Sequence, residues 1–234
     1  MGSFNPHPGS AGLDADGGPR HASPPSGRRE RLRLQAIDEI LDAALDVVTE
    51  QGAAALNLSE VARRVGLRQS SLYQYFDSRL AVYNALFERG MEQHLDVVRT
   101  AVAAVPEGWA ALRAIAAATV RFSVDHPALS QLLFLPAVPG FEPSARAYRP
   151  SLAVQELTTR AFAAAVDRHE LHPAAASERG VGLFIALGAG VGSLQLGNDQ
   201  HAGFDEGRYA RLVEPALDMF AAYFSPDKPA GWVP

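Results

Sequence analysis

The chain has 234 residues, 47 % hydrophobic and 20 % charged, the proportions of an ordinary folded domain rather than of a low-complexity or collagen-like chain. With no cysteine, a disulfide framework is excluded, and an intracellular, cytoplasmic setting is expected. The net charge of −5 speaks against nucleic acid only as an average, because the positive charge is sorted along the chain. Four arginines face one glutamate from Arg28 to Arg33, and four face one aspartate from Arg63 to Arg79, whereas residues 80–234 carry 12 basic and 16 acidic groups. A small DNA-binding domain on an acidic regulatory body has this pattern. So does a solvated face decorated with arginine, and the charges alone leave both open.

In chain order, residues 1–27 are rich in Gly, Pro, Ser and Asp, with little apolar beyond Phe4 and Leu13. Such a segment buries too little surface to offset its ordering entropy and is expected to be a disordered tail. Arg28, Arg29, Arg31 and Arg33 follow, either as a flexible arm for a minor groove or as a solubilising end. Ile37, Ile40, Leu41, Ala44, Leu45 and Val48 recur at helical spacing and predict a first helix ending before Gly52. Asn57 with Glu60 three residues on has the form of a capping box opening a short helix to about Val65. Gly66 stands where a left-handed residue would turn the chain, and a second short helix is predicted from Gln69 to Tyr75. Longer helices are predicted over 79–104, 108–125, 128–135, 151–170, 176–197 and 206–224. Pro127 suits a first helical turn, and the proline-rich stretch 136–150 reads as a loop. No stretch alternates as a strand would, so the predicted fold class is all-α.

Residues 57–79 carry the chemistry. Val61, Ala62 and Val65 form an inward face, and Leu67, Leu72 and Phe76 add apolar contacts from the turn and second helix. That leaves Arg68, Gln69, Ser70, Tyr73, Gln74 and Tyr75 outside, two tyrosines and two glutamines with no acidic residue. A recognition helix presents such a set to base edges while flanking groups hold phosphates. Gln pairs bidentately with adenine and Arg with guanine. Helix N-termini at Asn57 and near Gln69 suit phosphate oxygens.

Residues 36–87 resemble the DNA-binding domain of the TetR/AcrR family of bacterial regulators. The residues that carry the resemblance are Ile37 to Leu45, Gly52, Val61-Ala62-Arg63-Arg64-Val65-Gly66, Leu72-Tyr73-Gln74-Tyr75-Phe76 and Ser78-Arg79. The resemblance implies base contacts from Arg68, Gln69, Ser70 and Tyr73, and phosphate contacts from Asn57, Ser71, Gln74, Tyr75 and Arg79. Asn57 stands where Thr is usual, Arg68 where a small hydroxyl residue is frequent, and Arg79 in place of Lys. The implied organisation is a tail over 1–27, a helix-turn-helix DNA-binding domain over 28–79, and a helical ligand-binding and dimerisation domain over 80–234. The implied function is a homodimeric, ligand-responsive repressor released from a palindromic operator on double-stranded DNA by a small, largely apolar effector.

In the body, Phe122, His126, Phe134, Tyr148, Phe162 and Phe184 are candidate ligand contacts, although each is more often plain core. Gly180 to Gly197 holds six glycines and no charge. It is long enough for a membrane span, but Ser193, Gln195 and the closely flanking charges favour a helix buried in a soluble bundle. The family resemblance implies that it joins the last helix in a two-fold four-helix dimer interface. His169 and His172 suit a helix end better than a metal pair, since no further ligand stands at regular spacing. No catalytic, metal or cofactor residues are assigned. A bundle enzyme would need a converging constellation, and the sequence contains no Glu-x-x-His pair, cysteine nucleophile or Gly-rich phosphate loop.

Overall fold

A computed structural model of the chain describes residues 26–135, 137–229 and 232. Most of the segment expected to be a disordered tail, residues 1–25, lies outside the described residues. The contacts divide the chain into two units, with the boundary between Ala36 and Ile37. In the first, the described residues form the opening turns of a helix, α1, Ser26–Gln51. Arg28, Arg29, Arg31 and Arg33 are exposed on it, so the expected flexible arm or frayed end is helical here.

In the second unit, α1 buries Ile40, Ala44, Val47 and Val48, a spacing that puts all four on one face. Gly52, at φ 87°, ends the helix in a conformation that disfavours a side chain. A 3₁₀ turn, Ala53–Ala55, leads into α2, Leu58–Arg64, and α3, Gln69–Leu72. The body follows as α4, Arg79–Ala103, α5, Trp109–Asp125, α6, Pro127–Phe134, α7, Arg149–Asp167, α8, Glu178–Asn198, and α9, Val213–Tyr223. Among the described residues there is no strand, and the fold is all-helical.

α4 takes part in two cores. Val82, Tyr83 and Leu86 near its start pack with Val61, Leu72 and Phe76 from the α2–α3 region. Val98, near its end, packs with Phe162, Phe184, Leu217 and Phe220. Each such side chain fully buried contributes on the order of 1.5–3 kcal/mol. Leu132 of α6 and Val138 of the following loop also belong to the first core, and α6 reaches the Ala53–Ala55 turn that precedes α2.

Three boundaries differ from the sequence prediction. α3 is one turn long, because from Ser71 onward i→i+3 bonds tighten the chain, with Gln74 N–H donating to Ser71 O at 3.1 Å and Tyr75 N–H to Leu72 O at 2.9 Å. The last helix begins at Val213 rather than near 206, after a 3₁₀ turn at Ala210–Leu212. The buried amide of Gln195 holds that approach. Its Oε1 accepts from Tyr209 N and Ala210 N, both at 3.0 Å. The third is α7, which stops at Asp167, with His169 at φ 56° just beyond.

Candidate nucleic-acid interface

The α2–α3 segment is fixed at both ends of its first helix. Asn57 Oδ1 accepts from Ser59 N at 2.9 Å, the expected N-cap. The reciprocal half of the capping box does not form. Glu60 instead takes Arg63 at 2.7 and 2.8 Å and Arg64 at 2.9 Å, because two nearby guanidinium groups outbid a single backbone N–H. Those arginines hold the Glu60 carboxyl well below its usual range, to about 2. At the C-terminal end, Gly66 sits at φ 68°. Its N–H donates to Arg63 O and the Leu67 N–H to Ala62 O at 2.8 Å, the paired bonds of a Schellman turn.

Arg64 also grips Glu50 on α1 through both guanidinium nitrogens, at 2.8 and 2.5 Å. Arg63 and Arg64 therefore hold α2 rather than project as free charge. The sequence counted them toward a basic face. The structure leaves Arg68 and Arg79 as the exposed arginines of residues 57–79 that no internal carboxylate takes.

α3 is seated by Leu72, which is 0 % exposed, with Val61, Ala62 and Phe76 buried around it. Seating Leu72 turns the rest of the segment outward. Arg68, Gln69, Ser70 and Gln74 are exposed, Ser71 and Tyr75 are half-buried, and Tyr73 is 47 % exposed. Gln69 is also oriented, because its Oε1 accepts from the Ser59 hydroxyl at 2.9 Å. That bond is a link between α2 and α3 that sequence reasoning missed; a serine at the second helical position of α2, beside the Asn57 cap, was the available signal. Asn57 and Arg79 lie exposed at the two ends of the segment. Ser78 caps α4 by accepting from Ala81 N at 3.1 Å. Below this surface, Tyr83 is fully buried and its hydroxyl donates to Ala53 O, tying α4 to the turn before α2.

The six candidate ligand residues do not form one site. Phe122 is buried between the rings of His94, at 5.2 Å, and exposed His126, at 4.8 Å, while Phe134 meets His94 edge-on at 5.3 Å. Phe162 and Phe184 lie in a second aromatic cluster with Phe220. Tyr148 stacks on Phe87 at 6.3 Å beside an apolar groove of about 200 Å³. Among the described residues no group of three metal-ligating side chains comes together. His172 Nδ1 accepts from Ala174 N at 3.2 Å, capping the turn that follows.

α8 holds the apolar stretch Gly180 to Gly197. It is long and apolar enough to cross a membrane, but only 22 % of its apolar window is buried. Phe184 and Gln195 face inward, while Leu183, Ile185 and Leu194 are exposed. The helix is therefore not buried within a single chain.

Residues 40–86 match the family described as bacterial regulatory proteins, tetR family. An HTH-type transcriptional regulator of Mycobacterium tuberculosis is 34 % identical over 105 residues, 45 % of this chain and 50 % of the relative. The HTH-type transcriptional activator FasR of Mycolicibacterium smegmatis is 31 % identical over 106 residues, 44 % of this chain and 48 % of FasR. The chain thus spans about half the length of the curated relatives it matches. The crystal structure of the regulatory protein SCO4313 superposes with a TM-score of 0.66 at 27 % identity, covering 82 % of this chain and 98 % of that one. Over residues 40–86, which hold the Gly66 turn, the chain matches the tetR family of bacterial regulatory proteins, and its overall fold is similar to that of SCO4313.

Proposed function

We propose that the chain is a homodimeric, ligand-responsive transcriptional repressor that binds a palindromic operator through α3. The observation that carries this reading is the outward edge of α3, where an oriented Gln69 stands beside an exposed Tyr73 over a closely packed apolar floor. Base contacts fall to Arg68, Gln69, Ser70 and Tyr73, and phosphate contacts to Asn57, Ser71, Gln74, Tyr75 and Arg79. Residues 28–79 act as the DNA-binding domain and residues 80–234 as the ligand-binding and dimerisation domain. The protein works in the cytoplasm, without enzymatic activity.

The exposed apolar face of α8 and α9 supports the dimer. Leu183, Ile185, Leu194, Met219 and Tyr223 all show to solvent, and large exposed apolar side chains grouped on two helices mark an interaction surface. Two-fold pairing across this face buries it and sets two α3 helices about 34 Å apart, one helical turn of DNA. A small, largely apolar effector, among whose contacts are Phe122, His126, Phe134, Tyr148, Phe162 or Phe184, favours the DNA-incompetent dimer by its differential affinity. α6 supports the coupling, because Leu132 shares a core with Val61 and Leu72 and α6 meets the turn before α2.

Tyr73→Ala and Gln69→Ala test the reading on DNA from upstream of the gene. Each is expected to weaken specific binding by roughly 1–3 kcal/mol, while sedimentation still shows a dimer. Unchanged affinity in both variants refutes the assigned contacts.

A further inference from the structure

We propose that the face of α4 running from Phe87 through Met91 to His94 binds an uncharged apolar molecule carrying a hydroxyl group. His94 and Ser130 would be its polar partners, and Phe134 the ring that opens to admit it. The proposal rests on the ligand-responsive reading above and gives it a location and a ligand class.

Two buried polar atoms lead to it. His94 is 3 % exposed; its Nε2 lies 2.9 Å from Thr119 Oγ on α5, and its Nδ1 has no partner. Ser130, on α6, is fully buried and its Oγ also has none. Native proteins leave few such groups, because a buried polar atom without a partner loses its hydration and gains nothing in return. The two stand on helices held close together. A Cβ at Gly90 would come within 2.8 Å of Leu129, so the glycine lets α6 approach one turn before His94. Ser130 follows Leu129, and Phe134, one turn later, lies edge-on to the His94 ring.

The surroundings fix the ligand's character. The partners of the imidazole are Thr119, Phe122 and Phe134, none of them charged. Burial holds the His94 pKa down to about 4, so the ring is neutral at physiological pH, and a buried carboxylate would find no cation there. A hydroxyl serves whichever nitrogen carries the proton, since it both donates and accepts. Phe87, Met91 and His94 recur at helical spacing along about 10 Å of α4. At the Phe87 end lies the groove of about 200 Å³, lined also by Leu133, Leu135 and Phe141, which gives an apolar tail its place. Phe134 is 41 % exposed, a ring at the surface in edge-on contact with His94, which is why it is assigned as the ring that admits the ligand.

The test uses the full chain with 1-octanol, and with octane and octanoate as controls. 1-Octanol is expected to bind more tightly than octanoate and to shift the ¹⁵N signals of His94. His94→Leu should weaken octanol binding about tenfold, the loss of one buried hydrogen bond, and leave octane binding unchanged. Ser130→Ala, which removes a single oxygen, should weaken it in the same direction and covers the case in which His94→Leu fails to fold. Absence of octanol binding, equal binding by octane or octanoate, or indifference to both substitutions overturns the proposal. So does a water that stays between His94 and Ser130 with octanol present. Binding is read without DNA, so octanol held at His94 that leaves DNA affinity unchanged refutes the effector reading and not the site.

Discussion

Tyr73, on the rim of α3, is nearly half exposed, and Phe162, in α7, is 1 % exposed among other rings. The two regions are made of the same amphipathic helices, and each divides its rings between floor and surface. Phe76 and Tyr83 are buried below α3 while Tyr73 is turned outward, and Phe162 is buried in the body while Phe134 and Tyr148 are exposed. Around α3, Val61, Ala62, Leu72, Phe76 and Tyr83 fill the floor, and Tyr73 is left outside it with the polar groups. In the body the rings fill the interior, so a phenylalanine there reports packing first. Aromatic residues therefore point to a site when packing has no use for them, and residue type alone does not separate the two roles.

The comparison can be broken by removing one residue from each floor. Leu72→Ala should cost about 2–5 kcal/mol and Phe162→Ala about 3–5 kcal/mol of stability, both read by urea unfolding. The account expects Leu72→Ala to abolish DNA binding at temperatures where the body is still folded. Phe162→Ala, if it folds, should retain an intact α3 edge. Equal damage to DNA binding from both would erase the distinction.

His94 sharpens it from the body's side. Its folded pKa lies below the value of about 6.5 for an exposed histidine, so the unfolded chain binds the proton more readily. Its stabilising contribution is complete above about pH 6.5 and is lost as pH falls toward 4, on the order of 3 kcal/mol in all. The stability of wild type should therefore fall relative to that of His94→Leu as pH drops from 7 to 4, by about 3 kcal/mol. Parallel pH profiles would contradict the buried neutral imidazole. The smallest expected effect is at the turn. Gly66→Ala places a Cβ on a left-handed residue, at about 1–2 kcal/mol, with open space around it. Its cost should appear in stability and only weakly in DNA affinity.

Much of the α2–α3 region was legible in the sequence because local chemistry decides it. Asn57 caps, Gly66 turns, and Val61, Ala62 and Leu72 are inward for reasons contained within twenty residues. The fate of Arg63 and Arg64 was not legible, since Glu50, which captures Arg64, lies on another helix and nothing local selects it over phosphate. The start of α9 was hidden for the same reason: its approach is held by Gln195, fourteen residues earlier. In the body, six candidate aromatics had no local signal to group them, and His94 went unnoticed because a histidine on an apolar helical face has no sequence mark of lacking a partner. The exposure of α8 was hidden too, because an apolar helix left open on one side has the same composition as one buried all round.

The most direct measurement is hydroxyl-radical footprinting of the protein on the DNA upstream of its gene, beside sedimentation of the complex. The account predicts two protected patches on one face of the duplex, about one helical turn apart, bound by a dimer and absent with Tyr73→Ala. A single patch from a monomer, or protection that Tyr73→Ala leaves intact, would contradict it.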